Sequence, residues 1–209
     1  PVFEKILNDI ISRKQPDHPF ILGITGIDAS GKTKFTDRLD NFLSDKAYPV
    51  QKIHIDDFHN PINIRYSGEN DADNYFNLSF NIDTIIDELL IPSREYGTLS
   101  TELTVLDLET DSFRNKRSYS ISPDTIVLIE GVFLFRKELS PYIDYYVYLE
   151  ISFEECLKRG LARGGEEKRY HTKYIPAQEK HLAEYPPSEH ADIIIDNTNW
   201  DYPRITFSR

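Results

Sequence analysis

The chain has one cysteine, one tryptophan and no methionine in 209 residues, and 24 basic side chains stand against 35 acidic ones. Each shortage excludes something. A lone Cys156 permits no disulfide framework, so the core must hold the fold, as expected of a protein in a reducing compartment. The residues around it, Phe153-Glu154-Glu155-Cys156-Leu157-Lys158-Arg159, have helical spacing and place no base beside the thiol. Cys156 therefore reads as core packing and not as a nucleophile. The formal charge of −11 excludes nucleic acid as the main partner, because a polyphosphate backbone needs a basic face. A small anion is not excluded, since a few local cations can hold it. No run approaches the roughly 18 apolar residues of a membrane span. Residues 1–20 carry three basic side chains and no sustained apolar core, unlike a signal peptide. The expected location is cytoplasmic, with no membrane partner. With no Met and Pro1 at its head, the sequence is expected to lack its natural start.

Glycine is also scarce, at nine residues, yet two of the nine frame the most informative stretch. Phe20-Ile21-Leu22-Gly23-Ile24-Thr25 reads as a buried strand, and Gly26-Ile27-Asp28-Ala29-Ser30-Gly31-Lys32-Thr33 fits G-x-x-x-x-G-K-[ST]. Beyond it, Phe35, Leu39, Phe42 and Leu43 recur at helical spacing. Strand, glycine loop and helix in that order make a phosphate-binding loop. Gly26 and Gly31 let the backbone wrap with the N–H groups of Asp28, Ala29 and Ser30 turned inward, and the helix N-terminus adds positive potential. Lys32 would reach the β- and γ-phosphates, the Thr33 hydroxyl would ligate Mg²⁺, and Lys34 flanks the same loop. ATP and Mg²⁺ are the expected cofactors.

Residues 1–14 predict an amphipathic helix with Val2, Phe3, Ile6, Leu7, Ile10 and Ile11 on one side. Strand-like runs follow at 50–55, 125–130, 145–149 and 193–195, alternating with helical segments. The expected fold is therefore α/β, a single phosphate-loop domain over 1–209 with a parallel sheet of about five strands flanked by helices. Residues 60–78 read as an exposed loop. Asn81 to Leu90 reads as a helix stopped by Pro92. Residues 94–120, polar with short β-prone pieces, read as a small inserted hairpin.

In such sheets, ligands sit at the carboxyl ends of the strands. That rule brings Asp56, Asp57 and Glu130 to the glycine loop. Asp56 reads as a base for an acceptor hydroxyl and a second metal-site group, or more blandly as a turn cap or ion-pair partner. Asp57 reads as a second metal-site carboxylate or an orienting one, and His59 either contacts the acceptor or is solvated. Arg65 and Tyr75 are further acceptor-side candidates. Tyr66, Tyr75 and Phe76 either stack on a ring or pack in the core, and His54 reads as structural. Glu130 ends a buried strand, where an acid can hold magnesium through water. Residues 159–173 carry Arg159, Arg163, Lys168, Arg169 and Lys173 with Gly160, Gly164 and Gly165. The stretch is either a solvated helix face or a lid whose Arg163 and Arg169 close over phosphates. Phosphoryl transfer needs little else than positioning, charge neutralisation and a base near the acceptor.

With these motifs in place, the sequence resembles the uridine kinase family of phosphate-loop small-molecule kinases, a group that includes phosphoribulokinase and bacterial pantothenate kinase. The resemblance runs through Gly23–Thr33, Ile55-Asp56-Asp57-Phe58-His59-Asn60-Pro61 and Leu128-Ile129-Glu130-Gly131-Val132-Phe133-Leu134. Later it takes in Arg169-Tyr170, Lys173-Tyr174-Ile175-Pro176-Ala177-Gln178 and Ala191-Asp192-Ile193-Ile194-Ile195-Asp196-Asn197. It implies that Asp56 is the catalytic base, that Lys32 and Thr33 bind phosphate and magnesium, and that Glu130 organises the metal. It also implies that Arg163 and Arg169 lie in the lid and that Asn197 begins the adenine-side loop. One stretch departs. Where relatives carry acidic residues for ribose hydroxyls, this chain has Asn77-Leu78-Ser79-Phe80-Asn81, with Asp83 beyond. The expected acceptor is a small hydroxyl-bearing molecule, with uridine or cytidine first and a pantothenate- or sugar-phosphate-like alcohol second. A nucleotide-binding switch is the rival. A guanine-reading N-K-x-D is missing, since Asn115-Lys116 is followed by Arg117-Ser118. A degenerate relative would have lost Lys32, Asp56 or Glu130. Homo-oligomerisation stays open.

Overall fold

The apolar run Phe20–Gly26 forms β1, and all seven of its residues are buried in the computed structural model, which describes residues 1–209. In chain order the elements are α1 (Val2–Arg13), β1, α2 (Lys32–Ser44), β2 (Val50–His54), α3 (Ile62–Arg65), α4 (Asp71–Leu78) and a helical stretch α5 over 82–96. The hairpin strands β3 (Leu99–Asp107) and β4 (Ser112–Ile121) follow, then β5 (Ile126–Glu130), β6 (Tyr145–Glu150) and α6 (Phe153–Ala162). A second long helical stretch α7 over 167–184, then α8 (Pro187–His190), β7 (Ile193–Asp196) and β8 (Arg204–Ser208), complete the chain.

The central sheet has the order β2-β5-β1-β6-β7-β8. Its first five strands run parallel, and β8 runs antiparallel to β7 along the edge. The central strands are apolar on both faces because both faces are covered, as parallel strands require. On one face, Leu22 and Ile24 pack with Ile6 and Ile10 of α1 and Leu39 and Leu43 of α2. On the other, Ile21, Val127 and Ile129 meet Phe76, Leu89 and Phe133. Each fully buried Leu, Ile or Phe contributes roughly 1.5–3 kcal/mol, so two such layers hold the strand ends in fixed relation. Within α1, Ile11 turns outward and is exposed, although its spacing grouped it with the packed residues.

The structure departs from the sequence reading in three further places. The sheet gains β8 as a sixth strand; all five of its residues are exposed, so no alternating burial pattern marked it. Residues 60–78 are not a plain loop, because α3 and α4 occupy most of the segment. Asn70 caps α4 by accepting the Asp73 N–H at 2.8 Å, and Tyr75 and Phe76 of that helix are buried. Pro92 does not stop α5, which continues to Tyr96 and ends at Gly97 in the left-handed region. The turn just before Pro92, Ile86–Leu90, is a π turn. Its wider winding accommodates a residue that lacks an N–H and crowds the preceding carbonyl. The same device recurs in α7, where the π turn Tyr170–Tyr174 precedes Pro176. Residues 99–121 do form the expected hairpin, with a register shift between Val105 and Leu106.

Candidate active site

The phosphate loop joins the carboxyl end of β1 to α2. Gly31 is the N-cap of α2 with φ 91°, a conformation that glycine adopts without strain. A Cβ there would also lie 2.8 Å from the Asn197 amide nitrogen. No side chain caps α2, and its first turn carries no acid. Lys32 and Lys34 stand in that first turn, where the helix dipole disfavours cations. Free N–H groups and two misplaced cations together call for an anionic ligand. Lys32 Nζ donates to the carbonyls of Gly26 (3.1 Å) and Ile27 (2.9 Å) of the loop itself.

Parallel pairing of β1 with β5 sets Ile24 opposite Glu130. Glu130, only 5% exposed, accepts a hydrogen bond from Thr33 Oγ1 at 3.0 Å. His54, at the end of β2, lies 2.7 Å from the same carboxylate oxygen. That hydrogen bond holds the His54 imidazolium above its ordinary pKa, against the opposing effect of burial. His54 is thus a direct partner of Glu130, which its apolar neighbours in the sequence did not reveal.

A 3₁₀ turn, Ile55–Phe58, follows β2 and presents Asp56 to a cavity of about 780 Å³. The same cavity is lined by Asp28, Ala29, Gly31, Lys32, Thr33, Lys34, His59, Arg65, Tyr75, Glu130, Arg163 and Arg169, so most of the candidate residues converge on it. Its lining holds six cationic side chains against four carboxylates, in a protein whose net charge is −11. The positive field is local, as a polyanionic ligand needs. Burial pushes the Asp28 carboxyl above the usual carboxylate range, and Lys32 opposes that shift. The His59 ring lies 2.7 Å from the Asp56 carbonyl through Nδ1, and burial holds its pKa below the ordinary value. A neutral His59 donating there through Nδ1 leaves Nε2 as an acceptor.

Four candidates are placed elsewhere. Gly26 and Ser30 lie beneath the loop, where a Cβ on Gly26 would strike the Leu149 carbonyl at 2.5 Å and Ser30 is fully buried. Asp57 turns away to the hairpin, where Arg117 grips its carboxylate with two hydrogen bonds of 2.8 and 2.9 Å. Asn197 is buried behind the loop and donates through Nδ2 to the Ser30 carbonyl at 2.7 Å. Tyr66, offered from sequence as a ring-stacking or core residue, and Lys173 of the basic stretch also line the cavity, as do Leu108 and Trp200, which had no site role from sequence. Trp200, the sole tryptophan, packs beside Gly31, with Lys34 Nζ 4.4 Å from its ring centre. Its scarcity was the one sequence signal for it. Gln178 of α7 accepts a hydrogen bond from the Asp28 N–H and donates to the Tyr174 carbonyl at 2.8 Å, tying α7 to the phosphate loop.

The basic stretch 159–173 divides. Arg159 belongs to α6, is 8% exposed, and donates to the carbonyls of Ala29 (3.2 Å), Asn197 (3.2 Å) and Thr198 (2.6 Å) while pairing with Glu155 at 2.8 Å. It clamps the phosphate loop from behind. Gly160 is a packing glycine and no hinge, since a Cβ there would lie 2.1 Å from the Tyr170 ring. Gly164, with φ 85° and open space around it, is the glycine suited to hinge motion. Arg159 is thereby excluded as a lid cation. Arg159→Ala is expected to lower stability by about 2–4 kcal/mol, because it leaves a carboxylate and three carbonyls short of a partner. Thermal denaturation checks this; a lid cation would instead change kcat and leave Tm unaltered. Cys156 is fully buried beside this clamp, and burial pushes its thiol up to about 12, in keeping with a packing role.

Residues 21–196 match the sequence profile of the phosphoribulokinase/uridine kinase family. The chain is 25% identical over 194 residues to the uridine kinase of Limosilactobacillus reuteri (strain DSM 20016), covering 88% of this chain and 86% of that protein. It is 24% identical over 194 residues to uridine-cytidine kinase B of Dictyostelium discoideum, covering 85% and 74% respectively. Among solved structures, a possible uridine kinase from Bacillus stearothermophilus superposes with a TM-score of 0.74 at 26% identity, over 92% of this chain and 96% of that one.

Proposed function

We propose that this chain, which belongs to the phosphoribulokinase/uridine kinase family and is a P-loop kinase, moves the γ-phosphoryl group of ATP to a hydroxyl of a small molecule. One observation carries the reading. An uncapped helix N-terminus with Lys32, the Thr33–Glu130 pair and Asp56 all face a single cavity. These are an anion site, a hard-oxygen metal site and a base, the three parts that phosphoryl transfer requires.

The donor set fits magnesium. Thr33 and Glu130 offer oxygen only, and no group of three or more His, Cys, Asp or Glu side chains stands together to cage a metal alone. Mg²⁺ takes one or two protein oxygens and completes its shell with phosphate and water. When bound it supplies charge neutralisation across the β- and γ-phosphates. Thr33 and Glu130 would hold it there. In the transfer, Asp56 accepts the proton of the acceptor hydroxyl as its oxygen bonds to the γ-phosphorus. The bond from that phosphorus to the β–γ bridging oxygen breaks, and ADP leaves with the electron pair. Lys32 and the α2 N–H groups hold the phosphates in line. Arg163 reaches the γ-phosphoryl group when the segment about Gly164 closes. We assign the adenine side to the loop after β7 through Trp200, with Asn197 positioning the phosphate loop and not touching the base.

Uridine and cytidine are the acceptors suggested by the names of the relatives; a non-nucleoside alcohol is the second choice. A screen of ATP consumption across nucleosides, pantothenate and sugar phosphates, with and without Mg²⁺, tests the activity. Release of ADP that depends on both acceptor and metal is the expected result; none with any acceptor would count against a transferase. Arg163→Ala is expected to lower kcat by on the order of 10²-fold with little change in ATP binding, because that cation engages only in the closed state. Steady-state kinetics beside calorimetry of ATP binding separates the two effects.

A further inference from the structure

Within the same cavity, Arg65, Tyr66, Arg169 and Lys173 form one contiguous group about the Tyr66 side chain. Lys173 is 8% exposed yet forms no ion pair. Its ammonium donates to the Tyr66 hydroxyl at 3.3 Å and lies among the rings of Tyr66, Tyr75 and Tyr174, at 4.9, 5.3 and 5.4 Å from their centres. Arg169 also has no carboxylate partner and donates to the same hydroxyl at 3.5 Å. Arg65 reaches Asp111 only at 3.5 Å, and its buried Nε has no partner at all. The Tyr66 oxygen, already receiving two donors, keeps its own proton to give. Burial would raise the Tyr66 pKa, but Lys173, Arg169 and Arg65 outweigh it and hold the value below the ordinary one.

Around the Tyr66 hydroxyl the charged groups are these three cations, and none of the cavity's four carboxylates, Asp28, Asp56, Glu130 and Glu166, forms an ion pair with any of them. A buried ammonium with no carboxylate partner, flanked by two further cations, calls for an anion, which an uncharged polyhydroxyl acceptor does not supply.

We infer that the acceptor carries an anionic group, a carboxylate or a phosphate monoester, seated on Arg65, Tyr66, Arg169 and Lys173. It is then a compact hydroxy acid or sugar phosphate and not an uncharged nucleoside. The inference rests on the kinase reading above and narrows its acceptor.

The test uses the whole chain with MgATP and three acceptor arms: hydroxy acids (glycerate, pantothenate), sugar monophosphates (ribose 5-phosphate, fructose 6-phosphate), and uridine with cytidine. ADP release is measured for each, and ATP binding is measured separately by calorimetry. The expected result is turnover of one anionic arm with kcat/KM at least about tenfold above both nucleosides, the arm itself telling carboxylate from phosphate. Lys173→Gln and Arg65→Gln should then raise the KM of that acceptor by about 10–10²-fold, as loss of a charged hydrogen bond does, and leave the KM of ATP within about twofold. Should the buried Lys173→Gln fail to fold, Tyr66→Phe removes one exposed hydroxyl and should shift the acceptor KM in the same direction. Preference for uridine or cytidine overturns the inference and leaves the kinase reading intact. Variants that raise the KM of ATP and not that of the acceptor also overturn it, because the cluster would then serve the donor phosphates. No turnover in any arm refutes the anionic acceptor for both sources, and calorimetry then decides whether the kinase reading falls too: retained ATP binding spares it, and lost binding does not.

Discussion

Lys32→Ala is expected to lower kcat by about 10²–10³-fold, roughly 3–4 kcal/mol of transition-state stabilisation, and to leave the fold intact. In the structure the ammonium has only two carbonyls of its own loop as partners, at 3.1 and 2.9 Å. Those contacts close no long-range packing, so their loss should barely move Tm. The functional loss is large for a different reason. Charge on the transferring phosphoryl group is spread over its outer oxygens, and a preorganised cation meets it without reorganisation. Steady-state kinetics with a thermal melt of the same sample checks both halves. Activity within twofold of wild type at unchanged Tm would refute the phosphate-loop assignment.

Asp56→Asn carries the second large effect. The substitution keeps shape and some hydrogen bonding but removes the proton acceptor, which typically costs about 10²–10⁴-fold in rate. ATP binding should change little, because the proposed roles set Asp56 on the acceptor and Lys32, Thr33 and the α2 N–H groups on the nucleotide. Nucleotide binding by calorimetry and transfer by a coupled assay separate the two. The structure also narrows the fallback. Asp57 is held by Arg117 in a two-pronged ion pair, so it cannot take over as base without breaking that pair. His59 can, since it lines the same cavity and burial favours its neutral ring. Retained turnover in Asp56→Asn would therefore move the base to His59. Lost ATP binding in the presence of magnesium would instead make Asp56 a metal-site residue first.

Much of the site was legible because its parts are short and local. The phosphate loop is eight consecutive residues whose function lies in the backbone, and nothing distant is needed to recognise it. The parallel strands were equally legible: β1, β5, β6 and β7 are buried on both faces and so read as apolar runs, while β2 at the edge reads by alternation. From strand ends alone, the rule for α/β sheets placed Asp56 and Glu130 beside the loop. The helix hidden in 60–78 carried its own signal, the Asn70 cap, but the surrounding polar residues masked it. The edge strand β8 carried none, because it buries nothing.

What the amino-acid sequence determined by itself, then, was the phosphate loop, the α/β sheet and the pair of acids at its strand ends. Each is encoded within a dozen neighbouring residues, by periodicity, glycine and strand-terminal carboxylates. Only the tertiary structure decided which cations are left free for a ligand. Arg159 and Lys173 look alike in a basic stretch, yet Arg159 is used up by carbonyls 130 and 38 residues away, at Ala29 and Asn197. Lys173 is carried by α7 into a ring of tyrosines, two of which lie about a hundred residues earlier, with no carboxylate to meet it. A charge is free or spent according to what the fold packs against it, and that depends on contacts between distant segments, which no local pattern records.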